Sequence, residues 1–398
     1  MRSLSPEARA LLLAKTVRTF CYGFLGVLFP VYLIELGLGA AELGLAVTAT
    51  LLASAGLTFA ARRPAERHGP RRVLIALAGL IVASAVLFLL ARAPWLVVAA
   101  AMLGNLAVGT GETGPFLALE QVILARLTPP ARLAWAMSLY NLTGYAAAAL
   151  GAALVGRAGA RPALLFAAFL VGGLVQIAAY RRLGTDPVPP RRAANAPPVP
   201  ASPLVKKLAA LFSLDSLAGG FVLQSLMAYW FHTRFDADLG TLGWIFAGAQ
   251  IVSALSLILA AVVAPRLGLV NTMVFSHLVS NVLLIAMALA PSLHVAVVLL
   301  LARHALSQMD VPTRQTFLML AVPAEERAAA ASLTSSARTV AQALSPSLTG
   351  WIMGSLSLGA PFLLGGGLKI VYDLWLYATI RHVELRAAHS PAAGTEAR

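Results

Sequence analysis

Four polar side chains that could bind ligands or exchange protons follow one another at helical spacing inside an apolar run in the second half of the chain. They are Arg303, Ser307, Asp310 and Arg314. Their steps of four, three and four residues place all of them on one face of a helix. Guanidinium groups bind carboxylates and phosphates, and a carboxylate beside an arginine can exchange that partner for a proton. The stripe therefore indicates anion binding, proton exchange or both.

Further charges interrupt other apolar runs, five acidic and five basic in all. Eight of them are our candidate residues for substrate binding or coupling: Arg18, Glu112, Glu120, Asp215, Arg303, Asp310, Arg314 and Arg338. The other two, Lys369 and Asp373, are four residues apart, a spacing typical of a structural ion pair within one helix. Each charge would cost about 2.5–3.5 kcal/mol at the centre of a membrane helix. The equal numbers therefore predict pairing or a water-filled cavity.

The amino-acid composition indicates whether the segments that carry these charges lie in water or in a membrane. Of the 398 residues, 59% are hydrophobic and only 12% are charged, with a mean hydropathy of +0.81. Soluble domains carry about 25% charged residues, so an ordinary soluble enzyme is excluded. The single cysteine, Cys21, excludes a disulfide scaffold. The net charge of +14 does not indicate nucleic acid, because the basic residues form short clusters between apolar runs.

Twelve apolar runs are long enough to cross a bilayer as helices, and they lack the period-two alternation of strands. They cover residues 14–36, 43–61, 72–91, 94–125, 131–155, 161–181, 206–231, 241–263, 270–290, 293–320, 328–353 and 360–380. A proline-rich polar interval divides them six and six. The predicted organisation is an N-terminal half (1–181), a cytoplasmic linker (182–205), a C-terminal half (206–381) and a cytoplasmic tail (382–398).

The basic residues also predict the orientation. With the N-terminus inside, the cytoplasmic segments hold 21 of the 30 lysines and arginines, Lys15 among them, and the outer segments hold four. Positive charge accumulates on the cytoplasmic side of membrane proteins. We therefore expect both termini in the cytoplasm and a multi-pass protein of the cytoplasmic membrane, of bacterial origin.

The two halves repeat each other weakly, as the halves of many transporters do. A shift of 194 residues aligns Gln121 with Gln315 and Glu120 with Arg314, and a shift of 197 aligns Arg18 with Asp215. The chain is therefore predicted to be a duplicated six-helix unit.

A local motif then suggests a family. Residues 62–72 read RRPAERHGPRR, in which Glu66, Arg67, Gly69, Arg71 and Arg72 fit the loop Gly-x-x-x-Asp-Arg-x-Gly-Arg-Arg, with an arginine in place of the first glycine. Over nearly its whole length the chain resembles the Major Facilitator Superfamily. The resemblance implies an all-α membrane protein of twelve transmembrane helices in two pseudo-symmetric halves. It also implies alternating access around a cavity lined by helices one, four, seven and ten.

In the fold of that family, helices one and four are neighbours, as are helices seven and ten. The resemblance and the repeat together predict two ion pairs of opposite polarity, Arg18 with Glu120 and Asp215 with Arg314. They either lock their halves or take part in coupling. Arg338, on helix eleven, binds an anion or pairs with Asp373, and His277 with Asn281 is expected to be a packing pair.

The functional prediction is a secondary transporter, not an enzyme, that exports a small solute in exchange for protons. Two antiporter motifs of the family are absent, since Asn105 stands where many members have arginine and residues 144–152 lack the Gly-Pro motif. Uptake of a polar or anionic solute, or a non-transporting sensor or lipid-handling protein, are the alternatives. We expect no cofactor, no metal and no nucleic-acid partner. The expected partners are an unidentified solute, protons and the bilayer, with the protein acting as a monomer.

Overall fold

The computed structural model describes residues 5–109, 114–158, 161–184, 202–323 and 326–382, which are helical apart from short connections and contain no strand. These ranges form fifteen helices: α1 (Pro6–Glu35), α2 (Ala40–His68), α3 (Pro70–Leu90), α4 (Pro94–Leu103), α5 (Pro115–Leu127), α6 (Pro130–Ala158), α7 (Pro162–Arg181), α8 (Pro203–Gly220), α9 (Gln224–Phe235), α10 (Leu239–Leu267), α11 (Leu269–Ala288), α12 (Leu293–Ser307), α13 (Asp310–Ala321), α14 (Arg327–Ser355) and α15 (Ala360–Ile380). Most of the predicted linker and tail lies outside the described residues.

Each of the twelve predicted runs overlaps a helix or a pair of helices. We expected a single helix in each of the runs 94–125, 206–231 and 293–320. Each run instead forms a broken pair of helices, which are α4–α5, α8–α9 and α12–α13. By length and mean hydropathy, nine helices or helix pairs of the described ranges are able to cross a membrane. Large apolar side chains such as Leu255, Ile258 and Phe275 lie exposed on their outer faces, as expected where lipid replaces water.

The break between α4 and α5 has a local cause. Asn105 adopts a φ of +51° and Gly114 a φ of +104°, left-handed conformations that end a helix and that these two residue types adopt readily. The freed backbone finds partners in the other half, since Ser225 donates to the carbonyl of Val108 from both its N–H (3.2 Å) and its hydroxyl (3.1 Å). Irregular backbone at membrane depth is tolerated where it is buried in protein or borders a cavity.

The helices form two groups, which we call the first half (α1–α7) and the second half (α8–α15). The halves meet mainly where α2 packs on α14 and where α6 packs on α10. A Cβ atom on Gly350 would collide with the Ala40 carbonyl, and one on Gly243 would collide with the backbone of Gly156. Both contacts lie at the helix ends opposite the chain termini. The halves are therefore closed against each other at that end.

The tight turn predicted at Gly69 is present between α2 and α3, with a φ of +84°. Gly268 joins α10 to α11 with a φ of +83°. The two halves thus use the same glycine turn at equivalent places, in agreement with the repeat.

Candidate transport site

A cavity of about 490 Å³ lies between the two halves, a volume typical of sites for small molecules. All three helix breaks contribute to its wall, through Leu106–Gly109, Val222–Leu223 and Gln308. The ionisable side chains on the wall are Lys15, Asp215, His277, Arg303, Asp310, Arg314, Arg338 and Lys369. Among the described residues, five cationic side chains and two carboxylates thus line the wall.

The first predicted pair is present, but it lies outside this cavity. Arg18 donates to Glu120 Oε1 at 2.9 Å and to Oε2 at 2.5 Å, and both side chains are 0% exposed. The hydroxyls of Tyr140 and Tyr180 each donate to the same carboxylate at 2.6 Å. The Arg18 guanidinium also lies 4.5 Å from the centre of the Phe116 ring. The pair is sealed from water and links α1, α5, α6 and α7.

The second predicted pair is also present, and it forms part of the cavity wall. Arg314 donates to Asp215 Oδ2 at 3.2 Å and to Asp310 Oδ2 at 2.6 Å through the same nitrogen, NH1. Two carboxylates therefore share one guanidinium, one from α8 and one from the preceding turn of α13. The two carboxylates therefore compete for one cation.

The expectation that Lys369 and Asp373 pair with each other is wrong. Lys369 Nζ lies 2.5 Å from Asp215 Oδ1, whereas Asp373 receives hydrogen bonds from His277 Nδ1 (2.7 Å) and from Asn281 Nδ2 (2.8 Å). Helical spacing allowed the intrahelical pair, but α8 brings a carboxylate to the lysine and α11 brings better donors to Asp373. His277 and Asn281 do contact each other, at 3.3 Å. They also extend the charged network from the cavity wall to α11.

The polar stripe on the tenth run spans a break rather than one continuous helix. Arg303 and Ser307 lie on the last turn and a half of α12, and Asp310 and Arg314 lie on α13, yet all four still line the cavity. Arg338 faces the same cavity and donates from Nε to Ser216 Oγ at 2.9 Å, not to Asp373. Glu112, the remaining candidate, lies outside the described residues.

Lys15 is a wall residue that the sequence analysis assigned to a cytoplasmic segment. It is buried, lines the cavity, and its Nζ lies 4.4 Å from the centre of the Tyr140 ring. A signal was present in the sequence, because Lys15 precedes Arg18 by one helical turn and so shares its inward face. The positive-inside rule concealed it, since a lysine near a predicted helix end fits that rule equally well.

The loop motif lies apart from the cavity, at the end of the chain termini. Arg71 donates to the Arg181 carbonyl at 2.9 Å and so ties the start of α3 to the end of α7. Glu66 is exposed and lies 3.4 Å from Arg62 on the same helix. Arg67 and Arg72 are exposed as well. The Arg71 hydrogen bond therefore holds the α2–α3 corner against α7 of its own half.

Comparison with known proteins agrees with this architecture. The family model of the Major Facilitator Superfamily matches residues 11–301 and 208–397. The uncharacterized membrane protein YJR124C of Saccharomyces cerevisiae is 23% identical, over 90% of this chain and 91% of its own length.

Two solved structures share the fold at 15% identity. A variant of the nucleoside transporter NupG superposes with a TM-score of 0.75, covering 94% of this chain and 99% of that one. The human organic anion transporter MFSD10 superposes with a TM-score of 0.68, covering 93% and 99%. An all-helical membrane protein with a polar cavity between two repeated halves, matched by the family model along almost its entire length, belongs to the Major Facilitator Superfamily.

Proposed function

We propose that this transporter moves a small polar or anionic solute through the central cavity and links the movement to protons. The observation that carries the proposal is the sharing of Arg314 by Asp310 and Asp215 on the cavity wall. A carboxylate that alternates between an arginine and a proton changes the charge of the wall during the cycle. A conformation in which this carboxylate is paired with the arginine has a lower affinity for the proton than one in which the pair is broken. Coupling requires such a difference between conformations.

The two carboxylates differ in their partners, and the difference assigns their roles. Asp215 accepts from both Lys369 and Arg314 and lies 3.7 Å from His277. Asp310 has one cationic partner in the described structure, Arg314. Protonation of Asp310 therefore leaves both cations paired with Asp215, whereas protonation of Asp215 leaves Lys369 without its ion-pair partner and Arg314 with Asp310 alone. Asp310 is the proposed proton carrier and Asp215 the fixed counter-ion.

The charge of the wall supports a polar or anionic solute over an apolar one. Among the described residues, five cationic side chains and two carboxylates line the cavity, and Arg303 has no ion-pair partner among them. The two solved structures are named as a nucleoside transporter and an organic anion transporter, so a nucleoside and an organic anion are suitable probes. Export, the direction predicted from the sequence, stays a prediction, and the liposome experiment described below tests it.

The sealed Arg18–Glu120 pair has a different proposed role. Both side chains are 0% exposed, and five hydrogen bonds join them to each other and to two tyrosines. A pair that only stabilises the fold needs no contact with water, whereas a pair that exchanges protons does. We assign this pair to holding the first half rigid while the second half carries the coupling chemistry.

Purified protein in liposomes tests the proposal, with uridine and glucuronate as probes. A pH gradient is imposed with each sign in turn, and wild-type protein is expected to accumulate a probe under one of them. Accumulation with an acidic interior indicates exchange of solute for protons, as in proton-linked export, whereas accumulation with an acidic exterior indicates entry together with protons. Asp310→Asn is expected to abolish accumulation and keep exchange of labelled for unlabelled probe. Glu66→Gln, a surface change, is the matched control and keeps both activities.

Two results would contradict the proposal. Proton-driven accumulation by Asp310→Asn at the wild-type rate would remove the coupling role of this residue. Failure of the wild-type protein to exchange either probe would remove the proposed solute class.

A further inference from the structure

We infer that Arg303 and Ser307 form an oxyanion subsite in the cavity wall, which takes the carboxylate or phosphate group of the solute. The inference rests on the proposed function and deepens it, because it assigns the charged end of the solute to one turn of α12.

The first observation is a buried donor without an acceptor. Arg303 is only 8% exposed, it lines the cavity, and no acceptor of the described structure receives its Nε–H. One helical turn further on, the hydroxyl of Ser307 is equally buried and equally without a partner. A buried polar group without a hydrogen bond destabilises a protein. Both residues also line the cavity, and a ligand in the cavity is the acceptor that we assign to them.

The second observation is that the other lysine and arginine side chains that the second half contributes to the cavity wall already have partners. Arg314 is held by Asp310 and Asp215, Lys369 is held by Asp215, and Arg338 donates to Ser216. Arg303 has no ion-pair partner among the described residues. An incoming anion therefore meets Arg303 without having to displace an internal carboxylate.

The chemistry of the two donors defines the ligand class. A guanidinium presents several N–H groups in a fixed plane and prefers an oxyanion with two or three acceptor oxygens. A serine hydroxyl adds one further donor from the same helix face. Carboxylate and phosphate both satisfy this geometry, and an apolar or cationic group does not.

The inference has a consequence for stability that separates it from a structural role. Arg303→Gln removes a buried charge that has no internal partner, so the melting temperature in chloride buffer is expected to stay equal or rise. Arg314→Gln, in the same cavity, leaves two carboxylates without their shared cation and is expected to lower it. A structural Arg303 would instead behave like Arg314.

The experiment measures thermal stabilisation of the purified full-length protein at constant ionic strength. The probes are acetate, inorganic phosphate, and glucuronate beside its neutral counterpart glucose, each referred to chloride. We expect at least one oxyanion to stabilise the wild type, and the acetate and phosphate arms show which oxyanion the subsite prefers. Arg303→Gln is expected to weaken this binding about 10- to 100-fold, the range for loss of a charge-assisted hydrogen bond. Ser307→Ala weakens it less, and Arg303→Lys restores part of it.

Three outcomes distinguish the two proposals. Undiminished oxyanion binding by Arg303→Gln overturns the subsite and leaves an anionic solute in place. No stabilisation of the wild type by any oxyanion also overturns the subsite, while proton-linked exchange of uridine would still support the transport function. Equal stabilisation by glucose and glucuronate, with no response to acetate or phosphate, assigns the cavity to neutral solutes.

Discussion

Arg18 and Glu120 are joined by two hydrogen bonds across 102 residues of sequence, at the position where the second half places Asp215 and Arg314 with reversed charge. The same helix contact is therefore used twice. In the first half it is enclosed by tyrosines, and in the second half it is open to the cavity. This asymmetry means that similar substitutions in the two halves should have different consequences.

Glu120→Gln is expected to lower the free energy of unfolding by about 3–5 kcal/mol, since it leaves the buried Arg18 cation uncompensated. Adding Arg18→Gln should recover part of that loss. Thermal unfolding of both single variants and the double variant in detergent provides the measurement. Glu66→Gln is the matched control, because an exposed ion pair within a helix contributes only about 0.3–0.5 kcal/mol. Strictly additive losses would show that Arg18 and Glu120 do not act as a pair.

The partner of Lys369 can be tested by coupling energies. We expect Lys369→Met and Asp215→Asn to be strongly coupled in unfolding experiments, because Nζ and Oδ1 lie 2.5 Å apart. Lys369→Met and Asp373→Asn should be coupled more weakly, since within the described structure these two side chains are connected only through His277. The opposite ranking would restore the intrahelical pair that the sequence suggested.

Asp215→Asn is expected to destabilise the protein more than Asp310→Asn does. The first change leaves Lys369 and Arg314 with one carboxylate between them, whereas the second leaves Asp215 in place for both. Melting temperatures of the two variants, measured at the same pH and salt, check the order. Equal or reversed losses would contradict the assignment of Asp215 as the fixed counter-ion.

Closure of the halves depends on backbone contact at Gly350. Gly350→Val places side-chain atoms where the Ala40 carbonyl and Gly44 lie, so this end should open. In a Cys21→Ala background, Met227→Cys on the cavity wall should then react faster with an impermeant maleimide added outside the membrane. Gly354→Val is the control, because a Cβ atom there meets its nearest neighbour only at 3.8 Å. Equal labelling of the two variants would exclude Gly350 from the closure.

The orientation remains a prediction from 21 basic residues on one side against four on the other. Reporter fusions after Arg72, Arg192 and Arg386 should be active as cytoplasmic fusions, and a fusion at Asp236 should be active outside. A cytoplasmic signal at Asp236 would overturn the topology and the side from which Gly350→Val is expected to open the cavity.

The sequence by itself determined that the chain crosses a membrane, where its helices lie and that its two halves repeat each other. Apolar runs of bilayer length, the turn at Gly69 and the aligned charges Arg18, Glu120, Asp215 and Arg314 follow from local composition and spacing. With the neighbour relations of the resembled family, these charges sufficed to predict both ion pairs before any distance was known. Local patterns carry this information because a buried charge in a membrane helix needs a partner.

Only the tertiary structure decided which charges are sealed and which are available. Spacing on α15 favoured Lys369 with Asp373, yet α8 and α11 supplied closer partners from distant parts of the chain. Spacing likewise gave Arg303 and Arg314 the same helix face, but within the described ranges only Arg314 has carboxylate partners, and the Nε–H of Arg303 has no acceptor. The physical reason is that hydrogen bonds and ion pairs act over a few ångströms. Their partners are therefore chosen by the packing of helices, which a one-dimensional pattern does not contain.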